Sequence, residues 1–256
     1  MKQIHIAKVI CVTCMLLTCS QNLIANPLRR GQYVGISYNY SWNKNDVDVS
    51  PSGTVPSNIY NANLVPHSAS WYSNGSAVGI LLGFNRSMPN NLIWGAEIDY
   101  QQANIHGSPT VVVKSFNGSS GSTSYVFEAN TKLQLFGTAR LKFGTMANED
   151  TFIGITGGYI LGRLHQSGSI TQNNNGVFNR AWFYDDKSNQ SGWCIGLISE
   201  YNAFDNFTIG LQYLFYQFAS YNVASNGTTT AASGTFNYSF ENQGQLLKLN
   251  ISYHFL

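Results

Sequence analysis

The residues best suited to chemistry in this chain are acids and bases that alternate with apolar side chains in short, regular segments. Such charges fit two roles. One is an ion path or an acid–base site; the other is a network of opposite charges that fills a protein interior, because buried charges must be paired. Three acids against four bases are nearly balanced, so we predict the structural network. Its members are Glu97, Asp99, Lys132, Arg140, Lys142, Glu200 and Lys248.

A second chemistry is offered by three histidines, His67, His106 and His165, which lie in polar stretches between these segments. Histidine and tyrosine are axial ligands of heme iron, which makes the three histidines candidate hemin ligands. They are scattered along the chain and share no motif, so chance placement is the alternative.

Hydrolytic or acyl-transfer chemistry would need a serine, a histidine and an acid held together. His165 has Ser167 and Ser169 nearby, but no sequence motif supports a nucleophile there. We therefore predict that the chain is not an enzyme and that it holds no metal.

The segments that position these residues alternate strictly between polar and apolar side chains, which is typical of a strand with one apolar face. Each is close to the 9–11 residues that a tilted strand needs to cross a membrane. Only the segment 150–164 is ambiguous, because its glycines blur the two faces. The eight segments are 32–42, 76–86, 92–102, 131–143, 150–164, 193–201, 207–215 and 247–255.

The connections alternate between long and short. Long polar stretches cover 43–75, 105–125, 165–190 and 221–243, and the short turns are 87–91, 145–149 and 202–205. This order predicts an all-β, eight-stranded antiparallel outer-membrane barrel with both termini in the periplasm. A soluble β-sandwich also explains the alternation, but it gives no reason for every long loop to lie at one end. The residues expected in the interfacial aromatic girdles are Tyr40, Trp42, Trp94, Tyr100, Trp193, Tyr201 and Tyr213.

The N-terminus has the layout of a secretory signal, with a basic start, an apolar run too short to span a bilayer and a small residue, Ala25. We predict a cleaved segment at 1–25 and a single barrel domain at 26–256. Cleavage removes two lysines, so the formal charge of +2 falls to about zero and gives no reason to expect a nucleic-acid partner. Cys194 then stands alone, which excludes an intrachain disulfide and a cysteine-based zinc site.

Two stretches resemble a paired-strand signature in the major immunogenic outer-membrane proteins of alphaproteobacteria. They are residues 135–144 followed by 155–159, and residues 192–201 followed by 205–207 and 211–215. The likeness extends over the mature chain and is best over 131–216. It implies an opacity-like small barrel with an OmpA-type transmembrane fold, and some members of that family are described as hemin-binding or adhesive surface antigens. Closing strands in the family usually end in Phe, which the barrel-assembly machinery recognises, whereas here Leu256 follows Phe255.

The four long stretches are rich in Ser, Asn, Gly and Thr and carry scattered aromatic residues. These are Tyr60, Trp71, Tyr72, Phe116, Trp182, Phe183, Tyr184 and Tyr238. Such residues can bind protein partners, or they can stabilise extensions of the strands above the membrane; the sequence leaves both open.

We predict an outer-membrane surface barrel, a porin-like surface antigen, whose four exposed loops contact the host or the environment. The alternatives are a hemin-binding protein and a narrow pore of low conductance. The expected partners are outer-membrane lipid and lipopolysaccharide, the barrel-assembly machinery, and host surface proteins or hemin.

Overall fold

The alternating segments form strands, as predicted. A computed structural model describes residues 30–118, 121–175, 177–227 and 234–255. The predicted signal segment and Leu256 lie outside this range. In chain order the elements are β1 (Arg30–Ser52), α1 (Thr54–Asn61), β2 (Ser68–Ser87), β3 (Leu92–Gly107), β4 (Thr110–Gly118), β5 (Gly121–Met146), β6 (Thr151–Asn174), β7 (Val177–Phe204), β8 (Phe207–Phe218), β9 (Tyr221–Ala224), β10 (Asn226–Gly227) and β11 (Thr235–Phe255).

Eight of these strands form a closed antiparallel ring in the order β1, β2, β3, β5, β6, β7, β8 and β11. The ring closes where β1 pairs with β11, from Gln32 opposite Phe255 to Ser52 opposite Thr235. Closure leaves no strand edge in the wall, which is the condition for a sheet to cross a membrane. The three remaining strands lie outside the ring: β4 pairs with β5, β9 with β11 and β10 with β7.

The register fixes the dimensions of the barrel. We follow the register partners from one strand to the next, starting at Lys44 of β1 and passing through β11 around the ring. The path returns to β1 at Val34, ten residues from where it started, so the shear of the barrel is ten. For eight strands with a shear of ten, a rise of about 3.3 Å and a spacing of about 4.8 Å give a tilt of about 41° and a radius of about 8 Å. Such an interior is just wide enough for side chains.

The outer face carries a continuous apolar band, in which large side chains such as Ile36 and Leu141 are each 65% exposed. Between the levels of Phe255 and Trp42 the band is about 28 Å tall, close to the thickness of a bilayer's hydrocarbon core. The girdle residues predicted from sequence all face outward, although Trp94 is half-buried. The ambiguous segment is also resolved: Ile155 and Tyr159 of β6 face outward.

The two ends of the barrel differ. At the turn end, the described chain begins and stops, and short turns at 88–91, 147–150 and 205–206 join the strands. Asn90 and Asn91 take the left-handed conformation, with φ of 66° and 59°, which asparagine tolerates in tight turns. At the opposite end, here called the loop end, α1 lies between β1 and β2. No helix in the described part of the chain is long and apolar enough to cross a membrane.

The predicted long loops are mostly strand, which corrects the prediction. β6 has 24 residues and rises about 60 Å along the barrel axis at this tilt, about twice the hydrocarbon thickness. The physical reason is that alternation continues above the membrane level: Val47 and Val49 of β1 face inward and are buried, while Asp48 between them is exposed. The strands therefore go on pairing and burying one face.

Candidate functional site

Six charged side chains meet inside the barrel, at the level of the apolar band. Arg140 forms one salt bridge with Glu97, its register partner, and another of 3.0 Å with Asp99. Lys248 extends across the lumen from β11 and lies 3.1 Å from Glu97 and 2.8 Å from Asp99. Three acids face three bases, so the network is formally neutral. Its members are Glu97, Asp99, Arg140, Lys142, Glu200 and Lys248.

The pair formed by Lys142 and Glu200 stands beside the main cluster. Their N–O distance is 2.6 Å, and both side chains are at most 3% exposed. The Lys142 ammonium also lies 4.7 Å from the centre of the Tyr33 ring, which adds a cation–π contact. Tyr33 links the two parts of the network, because its hydroxyl donates a hydrogen bond of 3.0 Å to Glu97.

Neutral side chains complete the network, and strand periodicity predicted that they point inward but not which partners they bind. Thr138 donates a 2.9 Å hydrogen bond to Asp99, and Gln212 accepts one of 2.8 Å from Arg140. Both residues occupy the polar phase of their strands, which was the available signal. Contacts across the lumen depend on the shear, which strand periodicity alone does not give.

The prediction that Lys132 joins this network is wrong. The register of β5 against β6 shifts between Leu133 and Leu135, so Gln134 forms a bulge that reverses the phase of the strand beyond it. Lys132 therefore follows the outward phase, between its register partners His106 and His165.

Apolar layers close the lumen on both sides of the charged network. Toward the turn end lie Ile93, Met146, Phe152 and Ile198. Toward the loop end is a larger cluster that includes Phe136, Leu214, Tyr216, Phe218 and the free thiol of Cys194. A cavity of about 10 Å³ beside Tyr216 has room for about one water molecule. The interior between these layers is therefore filled by buried side chains.

The barrel wall above the membrane level encloses an aromatic core. Four of the predicted loop aromatics belong to it and are at most 5% exposed: Trp71, Trp182, Tyr184 and Tyr238. Burial raises the pKa of Tyr184 and of Tyr238 above the usual value for tyrosine. These aromatics therefore stabilise strand extensions, the second of the two roles left open by the sequence. Tyr72 and Phe183 are exposed, Tyr60 is half-buried, and the side chain of Phe116 lies outside the described residues.

Helix α1 covers this aromatic core at the loop end. Pro56 and Ile59 are its buried residues, and Ile59 packs in the core with Phe236 and Tyr238. The opposite side of the helix and the turn after it expose uncharged polar groups, among them Asn58 and Asn61. The sequence thus builds a supported, neutral surface at the loop end.

The structure does not bring the three candidate hemin ligands together. His106 and His165 lie on either side of Lys132 on the outer face. His67 lies seven residues beyond Asn74, the register partner of His106, which is about 23 Å along the strand. Its ring stacks on Tyr60 with centroids 3.9 Å apart. The described residues contain no group of three or more His, Cys, Asp or Glu side chains placed to hold a metal ion.

The serine–histidine neighbourhood is not assembled as a nucleophile and base. His165 Nε2 lies 2.6 Å from a carboxylate oxygen of Asp185. Within the described residues, neither Ser167 nor Ser169 forms a side-chain hydrogen bond with His165.

No family model matches the chain. The 31 kDa outer-membrane immunogenic proteins of Brucella melitensis biotype 1 and Brucella suis biovar 1 are each 28% identical to it over 141 residues. The matched part is 55% of this chain and 53% of each relative. The chain therefore spans about half the length of the curated relatives that it matches.

Two solved structures of outer membrane proteins align with the chain. The outer membrane protein OprG of Pseudomonas aeruginosa aligns with a TM-score of 0.45 at 11% identity, over 91% of this chain and all of OprG. The outer membrane protease OmpT of Escherichia coli aligns with a TM-score of 0.44 at 9% identity, over 88% of this chain and 97% of OmpT. At these scores the likeness adds nothing to the fold that the strand pairing defines. The chain is an outer-membrane β-barrel, similar over half its length to an immunogenic outer-membrane protein of Brucella.

Proposed function

We propose that this barrel is a surface scaffold, which holds its loop end outside the cell for contact with the host or the environment. The observation that carries the proposal is the combination of a filled lumen with a long, supported extension at one end. A barrel whose interior is occupied by side chains leaves little space for solutes, so we expect its function to reside at the exposed end.

The chemistry of that end suits protein contact. Phe183, four positions above Lys187 on β7, is 45% exposed, and the uncharged side chains of Thr54, Asn58 and Asn61 are exposed on α1. Exposed aromatic side chains with adaptable polar neighbours are a composition that binds protein partners. The name of the Brucella relatives, an immunogenic outer-membrane protein, is consistent with exposure at a cell surface.

Orientation is tested by labelling intact cells with a membrane-impermeant maleimide. Single cysteines are introduced as Asn58→Cys at the loop end and Asn90→Cys at the turn end, both in a Cys194→Ser background. We expect labelling of the loop-end cysteine only, with both labelled after lysis. Labelling of the turn-end cysteine alone in intact cells would reverse the proposed orientation.

Contact is tested by the adhesion of bacteria that display the barrel to a layer of host cells. The variant Phe183→Ala with Asn58→Asp and Asn61→Asp changes the exposed surface and leaves the aromatic core intact. We expect adhesion to fall to that of cells without the barrel. The control, Ile80→Val, alters a lipid-facing residue and should adhere like the wild type; equal adhesion of all three proteins argues against the proposal.

Hemin binding is a second candidate, restricted to two of the three predicted histidines. The supporting observation is that His106 and His165 flank Lys132, whose ammonium is suited to a heme propionate. A Soret titration of the refolded barrel tests it. The double variant His106→Ala with His165→Ala should lose saturable binding and His67→Ala should keep it, whereas unchanged binding by both eliminates this site.

A further inference from the structure

The outer face of the barrel changes its chemistry abruptly at the upper edge of the apolar band. Exposed aromatic side chains mark this edge on several strands, among them Tyr100 of β3, Tyr159 of β6 and Trp193 of β7. Further toward the loop end, on β3, β5, β6 and β7, the outward face carries basic side chains, separated from these aromatics by one or two outward-facing neutral residues on β3, β6 and β7. We call these residues the basic patch: His106, Lys132, Arg163, His165 and Lys187.

The strand register places four of these residues in one row. His106 is paired with Lys132, Lys132 with His165, and His165 with Lys187. Neighbouring strands are about 4.8 Å apart, so the row is about 14 Å wide. Arg163 lies two positions below His165 on β6, on the same outward face.

The patch also occupies a narrow level along the barrel axis. With a shear of ten over eight strands, each step across the wall changes the level by about 1.25 residues, and the five residues fall within about 9 Å of one another along the barrel axis. Leu161, two positions below Arg163 on β6, is 53% exposed and belongs to the apolar band. The patch therefore lies where the polar headgroups of the surrounding leaflet begin.

The cationic side chains of the patch have little internal neutralisation. His165 interacts with Asp185, whereas Lys132, Arg163 and Lys187 form no salt bridge within the described residues. Glu128 lies four positions above Lys132 on β5, further toward the loop end. On the far side of the barrel the situation is different, because Lys44 is paired with Asp46 at 2.8 Å.

We infer that the basic patch binds a phosphorylated glycolipid of the outer leaflet. Lys and Arg side chains direct their charges toward the headgroup region while their stems stay on apolar surface, and both bind phosphate through charge-assisted hydrogen bonds. Three cations in one patch, Lys132, Arg163 and Lys187, match a lipid that carries more than one phosphate. The acyl chains would lie on the apolar band below.

The apolar band has a feature suited to such chains, which meets the patch side at β3. A groove of about 620 Å³ opens on the outer face across β11, β1, β2 and β3, and its lining includes Ile36, Ile80, Tyr100 and Leu249. Tyr100 belongs to β3, the strand that carries His106. A lipid anchored at the patch therefore has an apolar depression within reach.

The inference rests on the proposed orientation, with the loop end outward. Binding to purified barrel is independent of orientation in the cell, so failure of the lipid experiment leaves the surface-scaffold proposal intact. Reversed cysteine labelling in cells would instead remove the lipid's access to the patch, whatever the binding in detergent.

The test is native mass spectrometry of the refolded barrel in neutral detergent, titrated with bisphosphorylated lipid A. The variant Lys132→Gln with Arg163→Gln removes two charges from the patch. Its matched control, Lys44→Gln with Arg86→Gln, removes two outward-facing charges elsewhere, and folding is checked by the gel mobility of unboiled samples. A contribution of about 1 kcal/mol per basic residue near a charged lipid surface corresponds to binding about tenfold to thirtyfold weaker for the patch variant. The control should bind like the wild type.

Two further ligands decide which chemistry is recognised. Dephosphorylated lipid A should bind the wild type about as weakly as the intact lipid binds the patch variant. The water-soluble bisphosphorylated headgroup without acyl chains should bind more weakly than the lipid. The inference would be overturned if the patch variant and the control lost lipid affinity equally. It would also be overturned if the dephosphorylated lipid bound as tightly as lipid A, or if the soluble headgroup bound with full affinity.

Discussion

Lys142 of β5 and Glu200 of β7 meet inside the barrel at 2.6 Å, almost without solvent. Removing one partner leaves an uncompensated buried charge, which costs about 3–5 kcal/mol of folding free energy. We therefore expect Lys142→Met and Glu200→Leu each to destabilise the barrel by that amount. The double variant Lys142→Met with Glu200→Leu should cost less than the sum of the single changes, because it leaves no charge behind.

The measurement is urea unfolding in detergent, followed by the mobility of unboiled samples on gels. Lys44→Met provides the control, since it removes one member of an exposed ion pair that water already screens. Its unfolding midpoint should be indistinguishable from that of the wild type. Additive costs in the double variant would show that the two buried charges do not stabilise each other.

At the same scale, seven charged residues were predicted from sequence to form the buried network, and six of them do. Strand alternation carries this information, because once one residue of a strand is known to face the lumen, every second residue must face it too. Lys132 was assigned wrongly because the bulge at Gln134 shifts the phase between two regular stretches. Both stretches alternate, so nothing in the pattern of 131–143 marks where one phase gives way to the other.

At the scale of elements, the extension of the strands beyond the membrane is supported by its own aromatic core. Trp182 and Phe183 are adjacent on β7, one fully buried and the other 45% exposed. Trp182→Ala should destabilise the extension by about 3–5 kcal/mol through lost contacts and a cavity. The membrane-spanning part has separate apolar and charged layers and should stay folded.

Limited proteolysis of the barrel in detergent distinguishes these two parts. We expect chymotrypsin to cleave Trp182→Ala near the loop end, at concentrations that leave the wild type and Phe183→Ala intact. The gel mobility of the unboiled Trp182→Ala protein should still be that of a folded barrel. Complete digestion, or resistance equal to that of Phe183→Ala, would contradict the division into two supported parts.

The sequence predicted the eight strands but placed their upper ends too low. Composition was the cause: Ser, Asn, Gly and Thr dominate these stretches and favour turns. In the structure the same residues occupy the outward, solvated face, while every second position is apolar or aromatic, as at Phe236, Tyr238 and Phe240. A strand needs only one buried face, so loop-like composition on the other face does not interrupt it.

At the scale of the whole molecule, the shear of the barrel and the size of its side chains together decide whether it conducts. The radius of about 8 Å leaves space for one layer of inward side chains, and Tyr216, Phe218 and Phe152 are each at most 3% exposed. The charged layer between them is neutral and internally paired. An ion would have to displace these pairs and then pass two apolar layers.

We therefore expect no stable conductance steps when the purified barrel is inserted into planar bilayers, and no swelling of liposomes that contain it in solutions of small sugars. Trp182→Ala, which loosens only the extension, should be equally silent, because the layers that close the lumen lie within the membrane. Insertion is verified by the gel mobility of protein recovered from the liposomes. Conductance steps in the wild type would support the narrow-pore alternative. Steps in Trp182→Ala alone would show that the loop-end core is the barrier, and that the charged layer rearranges to let ions pass.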